Sequence, residues 1–287
     1  MTEKRLSLVL IRIVILLLLL SALFWNVLFK MVDEWFRLEE MGHGLFVPFV
    51  VGWVIWTQRE KLAKIPLQPS WVGWIFLLLA FVQMVVAELG AEFFLARTAY
   101  IVGLIGIILL TAGTAMLRAL TFPLVLLCFM VRWPTILYNQ ITFPLQLLAS
   151  QVAEVGLGLV GIPVLRDGNV LELPSQKLSV VEACSGIRSL LSLTFLSLIY
   201  GYLFDKRLWV RVTLFLSTIP IAIAANAFRV TLTGVMSEYK REWSEGIYHS
   251  MEGWIIFMIA LVALVTLHRI LDLASRPRKI PIAQEIS

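Results

Sequence analysis

The chain has 287 residues, of which 60% are hydrophobic and 15% charged, and its mean hydropathy is +0.89. These values exclude an ordinary soluble domain and imply an all-α polytopic membrane protein. The net charge of +5 does not call for a nucleic-acid partner, because basic residues in such a chain mark its cytoplasmic loops.

A membrane-crossing helix takes about 20 mostly apolar residues, and the sequence offers about eight such runs in one integral membrane domain covering 1–287. The first, about 8–29, follows Lys4 and Arg5; it lacks a small-x-small cleavage site and reads as an uncleaved anchor. A charged loop with Asp33, Glu34, Glu39 and Glu40 leads to a short second span at about 45–57, followed by Arg59, Lys61 and Lys64. Spans three to five lie at about 71–87, 93–111 and 117–131, separated by an acidic turn at Glu88 and Glu92 and a tight turn near Gly113. Trp53, Trp56, Trp71 and Trp74 suit interfacial belts.

Between 132 and 184 the character changes. Arg132 to Gly161 is only moderately apolar and reads as an interfacial or partly embedded helix. Beyond Pro163 the pattern is strand-like: Val164-Leu165-Arg166, a hairpin turn at Asp167-Gly168, Asn169 to Leu173, then a strand from Leu178 to Val181. This small β-meander leads into spans at about 187–204, 208–227 and 253–270, and a basic tail with Arg276, Arg278 and Lys279. With both termini cytoplasmic, most basic residues fall on the cytoplasmic side, as the positive-inside rule requires. The meander, Cys184, Arg229 and His249 then share the extracytoplasmic face.

The two cysteines differ in setting. Cys128 sits in the apolar run Leu126-Leu127-Cys128-Phe129 and reads as packing. Cys184 sits in Glu182-Ala183-Cys184-Ser185-Gly186-Ile187-Arg188, where a helix is expected to begin. A thiolate is stabilised by unpaired N–H groups and the positive dipole end at a helix N-terminus, and by a neighbouring cation such as Arg188. No CxxC motif or Cys/His cluster suggests a metal, and no cofactor is implied.

Arg229 stands at the outer end of an apolar helix, a position that marks function or a snorkelling side chain. Asn226, three residues earlier, shares its helical face and could hold the guanidinium in place. His249 precedes the last span and reads as an acid/base group or a polar cap; His268, at the other end of that span, reads as structural. His43, between Gly42 and Gly44 on the outer side, is a substrate-contacting group or a cap. Glu182 either orients Arg188 or repels a carboxylate, and Ser185 has no advantage over the adjacent thiol as nucleophile. A thiol, an imidazole and a guanidinium on one face are the parts needed for acyl transfer from a peptide.

The combination of Glu182-Ala183-Cys184-Ser185-Gly186-Ile187-Arg188, Asn226-Ala227-Phe228-Arg229 and His249 before Gly253 resembles the exosortase/archaeosortase family of polytopic membrane cysteine transpeptidases. The likeness extends from His43-Gly44 through Phe143-Pro144-Leu145-Gln146 and Gly161-Ile162-Pro163-Val164 to Gly253. It implies Cys184 as nucleophile, with Arg229 and His249 completing the active site, the histidine pointing to the bacterial branch. It also implies the partners: secreted proteins with a C-terminal signal of a short motif such as Pro-Glu-Pro, a hydrophobic helix and a basic tail, an acceptor for the acyl group, and the lipids of the inner membrane. His43, Glu182, Ser185, Arg188 and Asn226 are candidates for contacting substrate or supporting the three. Whether Arg188 or Arg229 faces the oxyanion is left open by the residues alone. A different class of function, a component or transporter of an exopolysaccharide export system, would instead use Arg229 and His249 to bind an anion.

Overall fold

A computed structural model describes residues 3–180, 186–239 and 246–275. The chain is mostly helical and divides into two compact units, residues 1–138 and 139–287. Among the described residues four helices are long and apolar enough to cross a membrane, and six if each of two bent helix pairs counts as one span.

In the first unit, α1 (Glu3–Leu23) and α2 (Trp25–Arg37) replace the expected single span at 8–29, with a 74° bend at Phe24. The reason is compositional. Helix α2 carries Lys30, Asp33, Glu34 and Arg37, so it is amphipathic, burying Val27 and Met31 while Glu34 accepts a 2.7 Å hydrogen bond from buried Arg97. A 3₁₀ segment (Glu39–Leu45) leads to α3 (Val47–Thr57), followed by α4 (Arg59–Ala63). Helices α5 (Val72–Leu89) and α6 (Phe93–Thr111) form an antiparallel pair close to the expected third and fourth spans. Between them Glu92 caps α6, its carboxylate accepting from Leu95 N at 2.7 Å. The expected fifth span is not one helix: α7 (Thr114–Ala119), α8 (Thr121–Leu127) and a 3₁₀ turn (Cys128–Met130) share it. There Cys128 is exposed rather than packed, its thiol donating to the Leu124 carbonyl at 3.7 Å. Its apolar neighbours point inward only on the assumption of a straight, buried helix.

In the second unit, α9 (Thr135–Leu159) is followed by β1 (Leu165–Asp167), β2 (Val170–Glu172) and β3 (Lys177–Ser179), an antiparallel meander. Asp167 pairs with Val170, so the hairpin loop is Gly168-Asn169, one residue later than expected. Gly168 has φ +62 and Asn169 does not share the positive φ, the signs of a type II′ turn, whose first position favours glycine. The loop is held from α9: Gln146 accepts from Asn169 Nδ2 at 3.1 Å and Ser150 Oγ donates to the Gly168 carbonyl at 2.9 Å. Leu171, Leu173, Leu178 and Val180 turn inward onto Ala149, Ala153 and Leu157 of α9, and onto Ala227 and Val230 of a long later helix.

That helix, α11 (Leu208–Tyr239), lies between α10 (Gly186–Phe204) and α12 (Gly246–Ser275). It runs a dozen residues beyond the expected end at 227, because Phe228 to Tyr239 stays helical against α9 and the meander. Leu193, Leu214, Ala222, Ala260 and Leu264 form the core of the three helices. Their far ends are fastened by a polar knot. Arg207 Nη2 donates to Asp205 Oδ2 at 2.6 Å and to Asp272 Oδ1 at 3.0 Å. His268 Nε2 lies 3.2 Å from Asp205 Oδ2, and its Nδ1 lies 2.8 Å from the Tyr200 hydroxyl, so His268 is a structural residue. The Arg207 guanidinium holds the Asp205 carboxyl well below the usual carboxylate range, against the opposing effect of burial.

Asp205→Asn is expected to lower the melting temperature, since it removes the charge of a carboxylate that both Arg207 and His268 face. Thermal unfolding in detergent measures this. Because the folded-state pKa is depressed, the contribution is fully present above the ordinary carboxylate range and is lost as pH falls through that range toward the folded value. The wild-type melting temperature should therefore hold steady from neutrality down to about pH 4 and then fall, and this acid limb should be shallower in the variant.

Candidate functional site

The best-defined part of the candidate site is Arg229. Its helix is braced on one side, where Ala227 and Val230 pack under the meander, and Gly156 of α9 allows close approach to Thr231. The half-buried Arg229 side chain crosses to α12 instead. A Cβ built on Gly253 would lie 3.2 Å from Arg229 Cζ and Nη2 and 3.4 Å from Nη1, so the guanidinium rests on the glycine backbone. The glycine matters here by space rather than by conformation, since a side chain at 253 would press on the guanidinium.

Gly253→Ala should therefore separate activity from stability. Alanine favours the helix by up to about 1 kcal/mol, so the melting temperature should stay or rise. The guanidinium must yield by a few tenths of an ångström, and any reaction that uses it should slow by about tenfold. Paired melting and turnover measurements on the variant check both halves.

Next to Gly253, Glu252 is buried, with 5% of its surface exposed. Thr233 Oγ1 lies 3.0 Å from each of its carboxylate oxygens. Thr233 follows Arg229 by one helical turn on α11, and His249 precedes Glu252 by three residues on α12. The α11–α12 contact thus gathers a guanidinium, a carboxylate and a hydroxyl within one turn of each helix. Sequence patterns did not single out Glu252 and Thr233, although an acidic residue at the start of an apolar span, three residues after a histidine, is a usable signal.

The other candidates fall in different places. Arg188 is half-buried on α10. Asn226 is buried. Cys184, Glu182 and Ser185 lie outside the described residues, and for His249 the backbone alone is described, as part of α12. Helix α10 is described from Gly186 onward.

His43 belongs to the first unit. Its Nε2 donates to the Phe129 carbonyl at 3.1 Å, and nearby Trp35 Nε1 donates to the Met130 carbonyl at 3.0 Å, so both rings tie the 3₁₀ segment and α2 to the turn after α8. Burial pushes the His43 imidazole below its ordinary pKa, opposed by the carbonyls of Phe129 and Glu40. The ring is thus tied to the backbone through Nε2 and is neutral at neutral pH. Among the described residues no group of three or more His, Cys, Asp or Glu side chains is arranged to hold a metal ion.

A family model described as transmembrane exosortase (Exosortase_EpsH) matches residues 35–266, a stretch that contains every candidate above. No curated protein and no solved structure matches the chain.

Proposed function

The chain belongs to the exosortase family and is a multi-pass membrane protein, and on that footing we propose that it is a membrane-embedded cysteine transpeptidase. Its substrates are secreted proteins with a C-terminal signal of short motif, hydrophobic helix and basic tail. The signal helix lies in the inner membrane, with its motif on the extracytoplasmic face. About eight spans with both termini cytoplasmic bring Cys184, Arg229 and His249 to that face.

In this reading His249 takes the proton from the Cys184 thiol, and the thiolate attacks the carbonyl carbon of the scissile peptide bond. The oxygen of the tetrahedral intermediate takes the negative charge and is stabilised by the Arg229 guanidinium. The C–N bond then breaks, His249 returns its proton to the leaving amine, and the substrate is left as a thioester on Cys184. A nucleophile on the acceptor, or water, attacks the thioester and frees the thiol.

The observation that carries this reading is the seat of Arg229 on Gly253, four residues after His249 on the same helix. The guanidinium lies against Gly253 of the helix that bears the candidate acid/base group. Mass spectrometry of a co-expressed secreted protein bearing such a signal tests it. Loss of the tail only when the enzyme is present supports the reading, and the mass left on the new C-terminus separates hydrolysis from transfer. An intact tail in the presence of inserted enzyme, with several signal motifs tried, overturns it.

A further inference from the structure

Glu252 takes no part in the steps above, yet it is a carboxylate buried between two largely apolar helices. Such a group is costly unless its charge is used or balanced, and within membrane helices ionisable residues mark function by default. The Thr233 hydroxyl, 3.0 Å from both oxygens, fixes where the carboxylate sits. Glu252 stands three residues after His249, on the same face of α12. The other charged side chains that α10 and α11 carry toward this end are Arg188, Arg229 and Glu238, and Glu238 is engaged with Ser175 at 3.0 Å from the Ser175 amide.

We propose that Glu252 is a positioning residue for His249: its carboxylate, locked by Thr233 one helical turn beyond the histidine, sets the tautomer of the imidazole and stabilises its protonated form. The inference rests on the reading of His249 as the acid/base group. Its chemistry is simple. When the thiol proton moves to the imidazole, the new positive charge arises on a residue one turn before the carboxylate's in the same helix, and the thiolate is favoured at equilibrium. When the proton moves on to the leaving amine, the imidazole returns to the neutral tautomer that the carboxylate selects.

The chain has three histidines, so the full-length protein labelled with ¹⁵N-histidine gives few enough imidazole signals to assign in detergent micelles with His43→Gln and His268→Gln. In the wild type His249 is expected to titrate above the ordinary imidazole range, and Glu252→Gln should lower that pKa by roughly one unit while leaving His43 and His268 unmoved. A purely packing role for Glu252 predicts no such shift, because glutamine keeps the volume and an acceptor for Thr233. Processing of a signal-bearing protein should fall about 100-fold in Glu252→Gln, mainly in kcat, and recover in part with Glu252→Asp. A His249 that titrates at or below the ordinary range in the wild type, or identically in the variant, overturns the proposal, as does wild-type processing by Glu252→Gln. Should the wild type process nothing, the transpeptidase reading fails, and the titrations still decide whether Glu252 governs His249.

Discussion

Cys184→Ala is expected to abolish processing of signal-bearing proteins, by about 10⁴-fold or more relative to wild type, with the variant inserted in the membrane at the wild-type level. Cys184→Ser should do nearly the same, because a hydroxyl is far harder to ionise than a thiol and the helix dipole cannot make up the difference. The control is built into the composition: the chain has two cysteines, and Cys128, exposed and bonded only to the Leu124 carbonyl among the described residues, should be replaceable by alanine without loss. In a Cys128→Ala background Cys184 is the only thiol, so its alkylation rate by iodoacetamide against pH reports the thiolate directly. A rate that saturates below the pH at which free cysteine ionises would show an activated thiol. Processing that continues in Cys184→Ala would remove the nucleophile from the account. It would favour the export-component reading, in which Arg229 and His249 bind an anion.

Much of the architecture is legible from hydropathy, and the places where it is not share a cause. A run of apolar residues fixes that a segment is buried or lipid-facing but not that it is straight. The 8–29 run therefore hides the bend at Phe24, and the 117–131 run hides a chain of short helices. The meander can be read because strands announce themselves through turn chemistry and alternation, with the register off by one residue at Gly168-Asn169. The far end of α11 cannot, since Thr231 to Tyr239 is too polar for a span and is kept helical by α9 and the meander, a tertiary effect.

The candidate site shows the same division. Arg229 stands out because a cation at the end of an apolar helix is rare, and its partner surface cannot be foreseen, because a glycine seat leaves no chemical mark in sequence. Spacing places Asn226 on the helical face of Arg229, and it does not foresee that the guanidinium also reaches across to Gly253 of α12. His43 resembles a substrate group because of its flanking glycines, and its ring is occupied with the Phe129 carbonyl. Pattern finds reactive types; only packing says which of them are already satisfied.

That packing also makes the choice between the two arginines testable. Arg229→Lys is expected to lower processing by about 100- to 1,000-fold, the usual loss when one oxyanion donor is removed. Lysine keeps the charge but not the planar fork that lies beside Gly253. Its ammonium would be free to move away from the developing charge, so the loss should fall on kcat with KM little changed. Arg188, on α10 and four residues after Cys184 in sequence, is suited to a different role, as a positive charge that favours the Cys184 thiolate. A lysine supplies that nearly as well, and Arg188→Lys should cost less than about tenfold, with the alkylation profile of Cys184 moved little. Measured side by side in steady-state processing assays, the two variants separate a geometric requirement from a purely electrostatic one. If Arg188→Lys proves the more damaging, the oxyanion role passes to α10 and the guanidinium on Gly253 becomes a clasp between α11 and α12.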